Sequence, residues 1–490
     1  MGKPKTKLDE ASLPFATISD LGNALRNREI SCVELTKFFA RRLETLGPQY
    51  NTLAYPLSKQ AEKFAKDVDW DLKRDRFRGP LQGIPYGAKD LLAVAKHPTT
   101  WGAKPYADQV FDYDATVIER LAKARAVLIG KLAMVELAGG GGYSSASASL
   151  QGPGLNPWNA SYWSGGSSSG SGAAVAAGLV PFALGSETSG SIMTPASYCG
   201  VSGLRPTYGL VSRHGAMALS WTLDKIGVLA RSAEDCGLVL QAIAGADPAD
   251  PGSVRKSFYY TPQYYEKVSE LKVGYAEIDF AEWPDESLRP AFANALAAVK
   301  SIGAQMVETQ IPNFAYGPVI SAIIDSEAAS IFEPLIRSGK VDQLADASQI
   351  DGLKASLTYS AIDYLKAMRV RTQVQAAFRD VFGQFDLLIA PTHFSPPDRA
   401  DQPFDENETK RPERKGVGGG LVPASNLCGI PAISIPCGFV NGLPIGLQIV
   451  GPVFSENRII AFASEFQRRT NFHEQHPPSL TGPASANSLR

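Results

Sequence analysis

Between Ser164 and Ile192 the chain reads SGGSSSGSGAAVAAGLVPFALGSETSGSI, so that glycine and serine crowd two short segments on either side of one apolar run. A flexible linker is the plainest reading of so much glycine and serine. Linkers, however, do not enclose an apolar stretch such as Ala173 to Leu184, whose composition predicts a buried helix. Glycine at this density lets backbone N–H groups converge on one point, which serves either a phosphate or the oxyanion of a tetrahedral intermediate. No GxxxxGK[ST] pattern is present, so the phosphate option is the weaker.

Around this centre one grammar repeats. Ser31 and Glu34 have capping-box spacing ahead of CVELTKFFARRLETLG, which predicts a helix. DATVIERLAKARAVLIGKL predicts a helix over about 114–124 running into a short buried strand over 126–131. SLRPAFANALAAVKSIGAQMVETQIP and AFRDVFGQFDLLIAPT each give a helix and then a strand, while LKVGYAEI, PAISIPCGF and GLQIVGP supply further apolar strands. Helices alternating with buried strands predict an α/β fold: a large, mixed, mostly covered sheet flanked by helices on both faces. There is no solenoid repeat. His393 to Gly420 is polar, proline-rich at its start and glycine-rich at its end, which predicts a mobile surface loop or, alternatively, a lid over a pocket.

Lysine plus arginine (48) nearly balances aspartate plus glutamate (49), leaving no overall field to hold nucleic acid or an anionic membrane. Cys32, Cys199, Cys236, Cys428 and Cys437 are scattered, with no CxxC pair, and read as reduced core residues of a cytosolic protein. The basic N-terminus lacks an apolar h-region, and no apolar run approaches the roughly 18 residues of a membrane span. Small-molecule chemistry in the cytoplasm is the expectation.

Several residues compete for the nucleophile. Gly166-Ser167-Ser168-Ser169-Gly170 matches the G-x-S-x-G elbow, but NPWNASYWSG precedes it where an apolar strand should stand, and no histidine sits in a persuasive motif. Ser253 and Lys256 have S-x-x-K spacing in a charged, aromatic-rich connection without the partner motifs. With histidine scarce, the remaining base is a lysine. Lys89, in the apolar, glycine-punctuated GIPYGAKDLL, is placed to lose its charge by desolvation and accept a proton.

Together GIPYGAKD, GGSSSGSGAAVAAG, GSETSGSI and YCGVSGLRPTYG, in this order, resemble the amidase signature family. The resemblance extends through DATVIERL, SWTLDKIGVLARSAED, NLCGIPAISIPCGF and GLPIGLQIVGP, with 78 residues between Lys89 and Ser167 and 24 between Ser167 and Ser191. It implies a single domain over 1–490: an N-terminal helical part (about 15–75), a catalytic core (about 76–240) and the rest of the fold (about 270–475). It also implies that Ser191 is the nucleophile, Ser167 the bridging serine on a cis peptide after Gly166, and Lys89 the terminal base. The backbone N–H groups of Thr188, Ser189, Gly190 and Ser191 would form the oxyanion hole, and Ser168 would support the network. No metal or organic cofactor is implied, and the expected partner is a small amide or carbamate. Many members are dimers, so a homodimer is the assembly the resemblance suggests.

Two departures bear on substrate. The common family version of the nucleophile segment is GSDTGGSIR, whereas this chain has Glu187, Ser189 and Met193 at the differing positions. In GKLAMVELAGGGGY, Gly139 to Gly142 replace bulkier residues, so that Ala138, Gly139, Gly140, Gly141 and Gly142 predict a widened acyl pocket. That favours hydrolysis of a bulky or aryl amide or urethane, with esterase side activity. The alternative is the glutamine-hydrolysing A component of a tRNA-dependent amidotransferase. Such components usually carry an aspartate where VGGGLVPASNLCGIPA has Gly418, which argues for a stand-alone hydrolase.

Overall fold

The computed structural model describes residues 11–261, 267–404 and 416–478. At the first predicted helix, Ser31 Oγ accepts from the Glu34 N–H (3.1 Å) while the Glu34 carboxylate accepts from the Ser31 N–H (2.8 Å), and the helix Cys32–Leu46 follows. This helix packs against Ser58–Leu72. The predicted 114–124 helix spans Thr116–Lys123.

The strands, in chain order, are β1 (Leu53–Pro56), β2 (Pro85–Lys89), β3 (Val127–Leu132), β4 (Leu155–Asn156), β5 (Asn159–Trp163), β6 (Phe182–Glu187) and β7 (Ser202–Arg205). They continue with β8 (Lys225–Ala230), β9 (Lys272–Tyr275), β10 (Gln305–Glu308), β11 (Leu387–Pro391), β12 (Ala432–Val440) and β13 (Leu443–Val450). Eleven of them form one sheet in the order β1-β3-β2-β6-β8-β7-β12-β13-β11-β9-β10, and β4 and β5 form a separate ribbon. The sheet is mixed: β2 runs parallel to β3 and β6, β9 parallel to β10 and β11, and the other pairs are antiparallel. Every residue of β2 and β8 is buried, as expected where helices cover a sheet. The molecule is thus a single large α/β domain, in which strands from the first and last thirds of the chain share one sheet.

One expectation is corrected. Ala173 to Leu184 is not one helix: the helix spans Ser169–Ala176, and Phe182 to Leu184 lie in β6, hydrogen-bonded between β2 and β8. The helix ends because Gly178 takes φ +61°, donating to Val175 O (3.1 Å) while Leu179 N–H reaches Ala174 O (2.9 Å). Pro181 then offers no N–H to continue it. A short apolar run fits a buried strand as well as a buried helix, so composition alone could not separate the two.

The five cysteines are free; Cys428 is half-buried and the others are buried. Among the described residues no helix is long and apolar enough to cross a membrane.

Candidate active site

Lys89 ends β2, an interior strand of the sheet, and is fully buried. Its Nζ lies 2.7 Å from Ser167 Oγ, 3.0 Å from Ser168 Oγ and 3.0 Å from Ser186 Oγ. Among the described residues no carboxylate pairs with it. Burial drives its pKa down from 10.5 to about 7, against the opposing pull of Asp224 and Glu187. Near neutrality this amine therefore exists in both protonation states.

The peptide Gly166–Ser167 is cis. Ser167 is 1% exposed, Ser168 is fully buried and Ser191 is 8% exposed, opening onto a cavity. Ser168, the elbow-like serine, has spent its proton: its hydroxyl donates to Ser186 O (3.2 Å). Among the described residues the Ser191 hydroxyl makes no hydrogen bond, and its segment is tied to the bridging serines by Ser168 N–H donating to Ser191 O (3.3 Å). The structure thus joins Lys89 to Ser167 directly and holds Ser191 beside them, with the last link left open, as is common where substrate has yet to draw a site together.

The turn that presents Ser191 is built by Glu187, at the end of β6. Its carboxylate accepts from the N–H groups of Ile192 (2.8 Å) and Met193 (3.0 Å), from Arg205 (2.7 Å) and from Asn426 Nδ2 (2.8 Å). Glu187 and Arg205 are both fully buried. Burial alone would raise the Glu187 pKa, but Arg205, Lys225 and Asn426 outweigh it and bring the group down to about 2. Gly190 completes the turn with φ +85°, open to glycine at little cost. In consequence the amides of Ile192 and Met193 are spent on Glu187. Those of Thr188, Ser189, Gly190 and Ser191 make no hydrogen bond among the described residues, a run of four free donors of the kind an oxyanion requires. Glu187 thus holds the turn as a carboxylate at the position where the common motif has aspartate, paired with Arg205 of β7.

The cavity at Ser191 measures about 340 Å³. Ala138 and Gly139 line it, with Tyr143, Trp163, Tyr198, Phe404, His393 and Asp398. Tyr143, Trp163 and Phe404 form one aromatic cluster, with ring centroids 4.4–6.0 Å apart. The other predicted pocket glycines lie elsewhere. A Cβ on Gly140 would meet Leu219 Cδ1 (2.8 Å), and one on Gly141 would meet Leu353 N (2.7 Å) and Gln349 O (2.8 Å). Gly142 faces open space. At Gly141 the helix Ala347–Ser356 lies against the tract and leaves no room for a side chain, so this glycine serves packing and not the width of the pocket.

The segment from His393 contributes more than its composition announced. Asp398 O accepts from Trp163 N–H (2.8 Å), Ala400 N–H donates to Ser161 O (3.0 Å) and Phe404 N–H donates to Ser144 O (2.8 Å). Residues 398–404 are thus strapped along β5 and close the aromatic wall. Residues 405–415 of the predicted loop lie outside the described residues, and its end, Gly418–Gly420, forms a short 3-10 turn. His393 bonds Thr194 Oγ1 (3.0 Å), and Ser253 bonds Asp247, so neither the histidine nor the S-x-x-K serine joins Lys89.

The Amidase family model matches residues 34–460. The chain belongs to the amidase family. Across 94% of its length it is 36% identical to the A component of the glutamyl-tRNA(Gln) amidotransferase of Halalkalibacterium halodurans, of which it covers 98%. Among solved structures, the peptide amidase of Stenotrophomonas maltophilia superposes with a TM-score of 0.81 at 29% identity, covering 95% of this chain and 99% of that one. A chain from a vestigial complex linked to the origins of an s-triazine catabolic enzyme gives 0.84 at 27%, covering 93% and 99%. The fold is that of the amidase signature enzymes, and the chain is an amidase signature enzyme acting on C–N bonds.

Sequence reasoning did not single out Ser186 or Asp224, nor the aromatic wall. Ser186 stands inside the quoted GSETSGSI motif and Trp163 directly before SGGSSSG, so proximity was the available signal. For Phe404, remote in the chain, the signal was the segment's alternative reading as a lid over a pocket, which did not point to this residue.

Proposed function

We propose that this amidase is a stand-alone hydrolase of amides or carbamates whose bulky or aromatic group occupies the cavity at Ser191. The observation carrying the proposal is the Tyr143–Trp163–Phe404 cluster, since aromatic faces favour an aromatic guest by stacking or edge contact. In this reading neutral Lys89 accepts the Ser167 proton as Ser167 accepts that of Ser191, and Ser191 Oγ bonds the carbonyl carbon. The four free amides bind the oxyanion, each donor contributing roughly 3–4 kcal/mol. Reversal of the relay protonates the leaving nitrogen as the C–N bond breaks, and a water then releases the acyl group from Ser191. Side activity on esters follows from the same steps.

The name of the amidotransferase relatives favours a second reading, a glutamine-hydrolysing component that works with partner proteins. Gly418 weighs against it. Its N–H donates to Asp279 Oδ2 (2.7 Å), and a Cβ there would lie 2.5 Å from Phe394 Cζ, so an aspartate does not fit that position without displacement.

A panel of glutamine, acetamide, an anilide, an aryl carbamate and an aryl ester, run on wild type, Ser191→Ala and Phe404→Ala, separates the readings. The expected result is turnover of anilide and carbamate, with KM for these raised about tenfold by Phe404→Ala, as for loss of about 1.4 kcal/mol of aromatic contact. Acetamide should be unaffected by Phe404→Ala. Higher kcat/KM on glutamine than on the anilide would overturn the proposal in favour of the amidotransferase reading. Retention of fluorophosphonate labelling in Ser191→Ala would overturn the relay itself.

A further inference from the structure

We infer that Ser186 is a positioning residue for the base: with Ser168 it takes the two N–H groups of neutral Lys89 and so aims the lone pair at Ser167. This rests on the serine relay proposed above.

The donors and acceptors around Lys89 Nζ fix which way its lone pair points. Ser168 Oγ accepts from Ser186 N–H (3.3 Å) and donates its only proton to Ser186 O (3.2 Å), so towards Lys89 it can only accept. Ser186 Oγ has Lys89 Nζ as its hydrogen-bond partner at 3.0 Å. A neutral lysine amine has two N–H groups and one lone pair. With Ser168 and Ser186 each accepting one proton, the lone pair falls on Ser167 Oγ, the closest of the three at 2.7 Å. When Lys89 becomes an ammonium, its third proton goes to Ser167 and the other two bonds stay as they were. The amine thus changes protonation state without turning, and only the Lys89–Ser167 bond reverses direction. Without Ser186 the amine has two partners for three directions, and its lone pair is free to rotate away from Ser167.

Position allows the idea to be isolated. Ser186 is half-buried on the wall of a second cavity of about 190 Å³, lined also by Met217, Trp221 and Asp224, which has room for an added methyl group. Ser186→Thr and Ser186→Val are therefore close to isosteric. They differ in the hydroxyl, and either fills the space that a water would occupy in Ser186→Ala.

The charged groups about Lys89 are Glu187 on β6, Asp224 beside β8, Lys225 on β8 and the Lys131–Asp90 pair at the end of β3 and β2. None is altered by either substitution. In Ser186→Val the ammonium keeps one charged N–H without an acceptor, a heavier loss than the neutral amine suffers, so the midpoint of the pH profile should move down.

The test measures the pH profiles of kcat and KM on one anilide, with the rate of fluorophosphonate labelling of Ser191. Ser186→Val is expected to lower kcat about tenfold or more, leave KM within twofold, and shift the midpoint to lower pH. Ser186→Thr is expected to restore the rate and the midpoint. The inference is overturned if Ser186→Val stays within twofold of wild type, if Thr and Val are equally impaired, or if KM rises at an unchanged midpoint. Wild-type labelling that is lost in Ser191→Ala alongside an unimpaired Ser186→Val would sink this inference and leave the relay standing. Labelling that persists in Ser191→Ala would sink the relay first.

Discussion

Glu187→Gln replaces one atom and should cost the protein about 3 kcal/mol of stability at neutral pH. The carboxylate holds four donors, from Ile192, Met193, Arg205 and Asn426. An amide offers a single oxygen and an unwanted NH2, and leaves the buried Arg205 charge without its counter-charge, a loss of about 3–5 kcal/mol where buried pairs are broken. The pKa gives the same scale independently: folding lowers the group from 4.5 to about 2, which at 1.36 kcal/mol per pH unit is roughly 3 kcal/mol. Because the folded-state pKa is the lower one, this stabilisation is complete above pH 4.5 and is lost as pH falls from 4.5 towards 2. Glutamine imitates the protonated acid, so wild type and variant should converge in that window. Equilibrium urea unfolding followed by tryptophan fluorescence, from pH 3 to 8, measures the gap. A gap that is absent at pH 7, or that persists unchanged down to pH 3, would refute the reasoning. Glu187→Asp, which keeps the charge, should lose less.

Activity should rise from pH 6 to 8 as Lys89 loses its proton around 7, since only the neutral amine can accept from Ser167; a flat profile under rate-limiting chemistry would contradict the lysine base. Gly141→Ala should destabilise the fold by about 1–3 kcal/mol, because φ is +85° and the new Cβ would press on Leu353 N and Gln349 O, yet leave the ratio of rates on anilide and acetamide unchanged. A change in that ratio would restore the idea of a glycine-widened pocket.

What the sequence disclosed and what it hid follow from the range of the interactions involved. The capping box at Ser31 and the helix–strand alternation are local, carried by residues three or four apart, and they were legible at once. The apolar run after Ser169 was ambiguous because a buried strand and a buried helix ask for the same residues, and the sheet neighbours of β6 settled it. Lys89, Ser167 and Ser191 could be named from motif order, but the partners that tune them could not: Asn426 meets Glu187 across 239 residues. The polyglycine tract was legible only in part, Ala138 and Gly139 lining the cavity, for a related reason. Glycine marks a close approach without saying to what, and at Gly141 the neighbour is the backbone of a helix two hundred residues downstream. Phe404 was hidden in a stretch whose proline and charge content fitted a surface loop as well as a lid, and named no residue facing the pocket.

The reach from Glu187 to Asn426 also sets a birth order for this enzyme. At about 5–20 residues per second, synthesis places Asn426 roughly 10–50 s after Glu187. During that interval Ser191 already exists, but its turn lacks one of the four donors that hold it and the cavity lacks Phe404. The nucleophile is therefore made early and equipped late, so that a chain surrounded by the amide bonds of its own ribosome comes into full working order only once Asn426 has been added.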